Sequence, residues 1–202
     1  MAFSDFKRIS DVQEKYNIEY SEEPFIKAQP INPPEPFTQD FEFNRQYIDI
    51  FTSEASRCET IIFPIIREAY RKYSEKYALW IQRSISYDST LNGTPDYLIS
   101  TRSKLGKTVV GKPLVMLVEA KKNDFDQGWG QCLSELYAAQ QINQDDKLEV
   151  YGIVTDAKLW EFGKLQGSLF TQNTYAISLD ELSKLFGTLS VIFQAALADR
   201  DL

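Results

Sequence analysis

Apolar positions near the N-terminus follow a helical rhythm. Ser10 stands where it can cap a short helix from Asp11 to about Tyr16. The rhythm stops at Gln29 to Pro36, where four prolines in eight positions predict an extended path. Residues 1–37 therefore read as an N-terminal arm with a Pro-rich linker, and residues 38–202 as the main domain. That domain opens on a second helical pattern, with Ser53 as N-cap, Glu54 at the positive helix end and apolar residues recurring to about Tyr73. Pro64 lies inside it and predicts a kink or a break. Ala55, Glu59, Ile62, Ile66 and Ala69 fall on one stripe at steps of three and four, so a carboxylate sits in an otherwise apolar line.

The pattern then turns to strands. Leu79 to Tyr87 is rich in β-branched and aromatic residues, Asn92-Gly93 marks a turn, and Asp96 to Ser100 reads as the next strand. Leu114 to Ala120 is a continuous apolar run, the mark of a strand covered on both faces. Gln127 to about Ile142 is helical, with Trp129, Leu133, Leu136 and Tyr137 on its apolar face. Glu149 to Thr155, Lys158 to Lys164 and Ser168 to Ile177 are further strands. Ser178 with Glu181 forms a capping-box pattern that opens a last helix running to about Asp199. Helix, strands, helix and strands predict an α/β sandwich, a central mixed β-sheet flanked by helices.

Three features of composition change the picture. There is no histidine, which excludes catalytic triads, histidine general bases and histidine-ligated zinc. The net charge of −7 argues against a protein that coats nucleic acid through its overall field, so any such contact needs a local basic patch. Cys58 and Cys132 sit in apolar, helix-like stretches and read as buried free thiols. Residues 1–10 have no secretory pattern and no apolar run is long enough to span a bilayer, so the expectation is a cytoplasmic protein with no membrane partner.

The chemistry concentrates at Val118-Glu119-Ala120-Lys121. Alternation along a strand puts Glu119 and Lys121 on one face and Ala120 on the other. A carboxylate beside so apolar a strand costs several kcal/mol unless it is paired or bound to metal. Asp96, directly after Pro95, begins the preceding strand. If the two strands are neighbours, Asp96, Glu119 and the backbone carbonyl of Ala120 offer the oxygen ligands that Mg²⁺ prefers, with Mn²⁺ as a substitute. An ammonium at Lys121 can then orient a water or neutralise charge developing on a phosphate, which suits phosphodiester hydrolysis.

Pro95-Asp96 followed by Glu119-Ala120-Lys121 after an apolar strand resembles the PD-(D/E)XK nuclease superfamily, with its restriction-endonuclease-like sandwich. The segments at 53–66, 128–136 and 151–162 extend the resemblance, in order, to the N-terminal nuclease domain of type I restriction R subunits. The resemblance implies a Mg²⁺-dependent endonuclease acting on DNA, linked to restriction, defence or repair. Asp96 and Glu119 would be metal ligands and Lys121 the catalytic lysine. Glu59 would be an accessory carboxylate near the metal and Gln131 a site-facing glutamine, although Glu135 stands where many relatives carry a tyrosine, and by helical angle Gln131 lies opposite the Leu133/Leu136 stripe. The family often dimerises to cut both strands, which makes a homodimer an expectation. Arg102, Lys104, Lys107 and Lys112 form a loop with a local charge of +4, read either as a phosphate contact beside the metal or as a solvated hairpin. Two other functions stay open. One is a catalytically silent module that keeps the nuclease fold for binding or assembly, and the other a regulatory partner whose acidic face mimics nucleic acid.

Overall fold

The computed structural model describes residues 2–198. Its centre is a mixed sheet in which β6 (Val110–Ala120) lies between β5 (Tyr97–Arg102), antiparallel, and β7 (Val150–Thr155), parallel. β2 (Tyr77–Ile81) closes one side against β5. On the other side follow β8 (Leu159–Gln166), β9 (Leu169–Asn173) and, in parallel with β9, β1 (Glu19–Glu23). The short β10 (Ile177–Ser178) pairs with β8, while β3 (Ile85–Ser86) and β4 (Asn92–Gly93) form a separate hairpin. The chain is therefore α/β with a large mixed central sheet flanked by helices.

Both faces of the sheet are covered, as the apolar run in β6 requires. On one face Tyr97, Ile99, Val118 and Ala120 pack against α2 (Glu35–Tyr47), α4 (Phe63–Tyr70) and α6 (Leu182–Ala198). On the other, Leu98, Leu117 and Val154 meet α1 (Ile9–Tyr16) and α5 (Phe125–Asn143). The predicted end of the last helix at Asp199 lies outside the described residues.

The helical pattern from residue 54 to residue 73 is continuous but not regular. α3 (Glu54–Arg57) is capped by Ser53, whose Oγ accepts from the Ser56 N–H at 3.0 Å. It then widens into a π-helical turn, Cys58–Ile62, closed by the Phe63 N–H on the Cys58 carbonyl, before α4 begins. Pro64 explains the widening, since it has no N–H for the carbonyl four residues back. That carbonyl, of Thr60, is taken instead by the side-chain amide of Asn44 on α2, at 3.0 Å. The inserted residue rotates the upstream turn, so the predicted stripe does not hold. Ile62, Ile66 and Ala69 are buried, while Ala55 and Glu59 are exposed, and Arg57 falls in line with Ile61 and Ile65 instead.

The N-terminal arm packs on the main domain and adds a strand to its sheet. Its helix begins at Ile9, two residues before the predicted start, because Asp11 accepts the Lys7 and Arg8 N–H groups. β1 joins the main sheet at its edge, and α2 begins at Glu35 inside the Pro-rich stretch, with Pro36 in its first turn where no donor is needed. Leu79 to Tyr87 is two strands, broken at Gln82 with φ 45°, and Asn92-Gly93 lies in the hairpin's second strand. Ser168 to Ile177 likewise divides into β9 and β10.

Residues 6–8 lie directly on α5 at Gly130. A Cβ there would meet the Arg8 nitrogen at 2.5 Å and the Lys7 carbonyl carbon at 2.8 Å, both backbone atoms. Gly130→Ala gains about 1 kcal/mol of helix propensity, but the arm must move to admit the methyl group. We expect a net destabilisation of about 1–2 kcal/mol, read as a lower urea midpoint, and an unchanged midpoint would show that the arm does not bear on α5.

Candidate functional site

The antiparallel register of β5 and β6 brings Asp96 to the end of β6. Tyr97 pairs with Val118, and the Asp96 carboxylate accepts the Ala120 N–H at 2.8 Å. Glu119 and Lys121 leave the strand on the α5 side, with Lys121 Nζ 3.1 Å from Glu119 Oε2. Ala120 points to the opposite core. The Lys121 N–H donates to the Thr155 carbonyl at 2.8 Å, which extends the parallel pairing with β7 by one step. Asp96, Glu119 and Lys121 thus converge, from positions 25 residues apart at the extremes, on one end of the sheet.

Helix α5 supplies the rest. Its N-cap Asp124 accepts the Gln127 N–H at 2.9 Å, so the helix starts just beyond Lys121 and runs back over the strand. Gly128 lets it approach, since a Cβ there would lie 2.6 Å from Val154 Cγ1 and 3.1 Å from Lys121 Cγ. Gln131 accepts from Lys121 Nζ at 3.0 Å, and its amide donates to Glu135 Oε1 at 3.3 Å. The helical-angle argument that turned Gln131 away from the apolar face does not hold, because α5 is enclosed on nearly every side. The sheet covers one flank and the N-terminal arm another, so polar positions of α5 are buried too.

Glu135 is the member that residue spacing missed. It is fully buried, and its carboxyl is within hydrogen-bonding reach of that of Glu119. Yet Glu119 Oε1 and Glu135 Oε2 are both buried acceptors without a donor. The two facts agree once a proton is counted: two carboxylates cannot share a hydrogen bond, but a carboxylic acid and a carboxylate can. Burial is the main force pushing Glu135 well above the ordinary glutamate range, and the Glu119 charge adds to it. Burial also pushes Glu119 up, against the pull of Glu135 and Lys121, to about 7. We therefore assign the proton to Glu135. The only sequence signal was a carboxylate one helical turn after Gln131 within the apolar Cys132-to-Leu136 stretch.

Electrostatics around the remaining groups follow the same logic. Burial raises Asp96 above the usual aspartate value, opposed by the Ala120 N–H and by Lys121. Burial alone would lower Lys121, but Glu119 and Asp96 outweigh it and hold the ammonium above its ordinary value. Glu59 is exposed, and no hydrogen bond or ion pair joins it to Asp96, Glu119 or Lys121. The residue of that helical run whose charge acts on both Asp96 and Lys121 is Glu54, one turn earlier. The π-helical turn accounts for the exchange. Cys132 is buried and Cys58 partly so, and burial pushes the Cys58 thiol up to about 11.

The basic loop is not beside this site. Asp96 precedes β5 and Arg102 ends it, while β6 runs back from Val110 to Ala120, so the hairpin turn lies at the opposite end of the sheet. At ~3.3 Å per residue, Arg102 is about 20 Å from Asp96 and Lys112 about 23 Å from Glu119. Arg102 itself donates to the Ser74 carbonyl at 2.7 Å. Lys104, Lys107 and Lys112 are exposed, as in a solvated hairpin.

Among the described residues no group of three or more His, Cys, Asp or Glu side chains is arranged to hold a metal ion. A cation here would rest on two carboxylates, Asp96 and Glu119, with the Ala120 carbonyl and water completing its shell. The chemistry of that set fits. The ligands are hard oxygens, the Lys121 ammonium beside Glu119 favours its charged form, and Mg²⁺ keeps several waters when bound. No family model, no curated protein and no solved structure matches this chain.

Proposed function

We propose that the chain is a Mg²⁺-dependent nuclease of the PD-(D/E)XK kind, with a restriction-endonuclease-like sandwich, that hydrolyses DNA phosphodiester bonds. The observation that carries this reading is the meeting of Asp96, Glu119 and Lys121 at one sheet end, with Glu119 buried there. Asp96, held by the Ala120 N–H, and Glu119, held by Lys121, would keep the cation in place. A bound divalent metal supplies Lewis acidity toward a phosphate oxygen and toward water. Lys121, kept protonated by its two carboxylate neighbours, offsets the charge that builds on the phosphate during attack. Gln131 fixes the direction of the Lys121 ammonium, and Glu135 fixes Gln131.

The test pairs activity with metal binding. Purified protein in Mg²⁺ or Mn²⁺ is expected to nick or linearise plasmid DNA, and chelation to stop it. Asp96→Asn is expected to weaken Mn²⁺ binding by calorimetry at least about tenfold, the lower end for loss of a group that supports a metal site. Intact metal binding in that variant would remove Asp96 from the ligand set.

A second reading, a catalytically silent module of the same architecture, is favoured by one specific observation. The run of four cations, for which one of the two readings was a phosphate contact beside the metal, lies about 20 Å away along the sheet. Metal binding without cleavage of plasmid, single-stranded DNA or RNA would select it.

A further inference from the structure

Arg57 is the unusual group outside the carboxylate centre. It is 5% exposed, and its Nη2 donates to the Phe51 carbonyl at 3.3 Å, yet its Nε and Nη1 are buried with no partner. No carboxylate pairs with it among the described residues. A buried guanidinium with unmet donors costs several kcal/mol unless an anion or water meets them. Its planar, multiply donating head is suited to phosphate. The Arg57 guanidinium lies 5.6 Å from the Phe51 ring centroid, and Lys158 Nζ lies 4.4 Å from that same ring, so one half-exposed aromatic carries two cations. Beside it opens a pocket of about 480 Å³, lined by Ile50, Phe51, Lys158 and Leu159 and by Arg45, which pairs with Asp180 of the same lining at 3.7 Å.

This cluster sits at the same end of the sheet as the carboxylate centre. Arg57 precedes Cys58, whose carbonyl is 3.5 Å from the hydroxyl of Tyr97, the neighbour of Asp96. Lys158 follows the end of β7, where the Thr155 carbonyl holds the Lys121 N–H. Glu54, one turn before Arg57, acts on both Asp96 and Lys121. The two cations thus lie at the same end of the sheet as the centre, Arg57 on α3 and Lys158 in the β7–β8 turn.

We propose that Arg57 and Lys158, across Phe51, form a phosphate subsite that grips the nucleic-acid backbone next to the carboxylate centre. The proposal rests on the nucleic-acid reading above and names the contact that the loop at 102–112 is too distant to make. Phosphate enters from the 480 Å³ pocket at Phe51 and Lys158, and reaching the Arg57 donors requires the exposed segment around Phe51 to turn aside.

The experiment measures binding without cleavage. A fluorescein-labelled single-stranded thymidylate 12-mer is titrated by anisotropy in EDTA and in Ca²⁺, across a salt series. Arg57→Met is expected to weaken binding about tenfold, as for one hydrogen-bonded charge contact, and Lys158→Ala about threefold, as for an exposed cation. Each is expected to lower the salt slope by about 0.7. Arg57→Met should melt no lower than wild type, because a buried unpaired charge is replaced by an apolar chain of similar length. Two outcomes overturn the proposal. In one, both variants bind as wild type does. In the other, Arg57→Met melts lower while Lys158→Ala binds normally, which makes Arg57 a structural residue. Melting with inorganic phosphate identifies the source. Stabilisation that Arg57→Met abolishes supports a site for phosphate itself, and no stabilisation alongside variant-sensitive 12-mer binding supports one needing a polynucleotide. Variant-sensitive binding without cleavage removes only the nuclease reading, whereas cleavage with undiminished binding in both variants removes only the subsite.

Discussion

Lys121→Ala is expected to lower metal-dependent DNA cleavage at least about a hundredfold, the scale for loss of one preorganised charge-stabilising donor. The ammonium is 3.1 Å from Glu119 and 3.0 Å from Gln131, and its pKa lies above the ordinary lysine value because Glu119 and Asp96 outweigh burial. It is therefore charged throughout the neutral range and acts as a cation, not as a base. Removing it leaves Gln131 without its donor and Glu119 without its ion pair. Glu119 escapes by taking up a proton, so the loss of stability should stay at about 1–2 kcal/mol. The same escape weakens metal binding at pH 7, since metal and proton compete for one oxygen. Raising the pH with saturating Mn²⁺ should restore metal binding but not cleavage. Full cleavage by a folded Lys121→Ala protein would remove the lysine from the mechanism.

The parts legible in the sequence are those set by local rules. The apolar run ending at Ala120, the Ser53 cap and the alternation that sends Glu119 and Lys121 to one side each depend on a few adjacent residues. The parts that were not legible depend on distant ones. Pro64 signalled an irregularity, but whether the helix would break or widen depended on Asn44 taking the freed Thr60 carbonyl. That choice moved Glu59 into solvent and Arg57 inward. β1 is polar, Glu-Tyr-Ser-Glu-Glu, as suits a sheet edge that must not recruit other chains. Its strand identity comes from β9, some 150 residues away in sequence. Gln131 and Glu135 are buried because they face Lys121 and Glu119 at the end of the sheet, a placement set by how α5 docks and not by helical angles within it. The two readings of the basic loop could be separated only by strand pairing, which carries the β5–β6 turn to the far end of the sheet from Asp96 and Glu119.

Glu135→Gln is expected to stabilise the protein above neutral pH and to flatten its stability–pH profile. The native state holds a proton on Glu135, whose pKa is raised mainly by burial, and Glu119 is raised to about 7. Unfolded glutamates release theirs near 4.3. Between that value and the raised native values the folded state binds more protons, so wild-type stability falls as pH rises, by about 1.4 kcal/mol per pH unit for each extra proton. The introduced amide keeps both contacts without a titration: its oxygen accepts from Gln131, and its NH₂ donates to Glu119. The variant should therefore be the more stable by up to about 4 kcal/mol at pH 8, and at pH 5 the two proteins should unfold alike. The amide donates to Glu119 as the protonated Glu135 does, so Mn²⁺ should raise the melting temperature at pH 6.5 about equally in the two proteins. Equal destabilisation of Glu135→Gln at every pH, with an unchanged slope, would mean that Glu135 is ionised in the native state and that the proton belongs elsewhere.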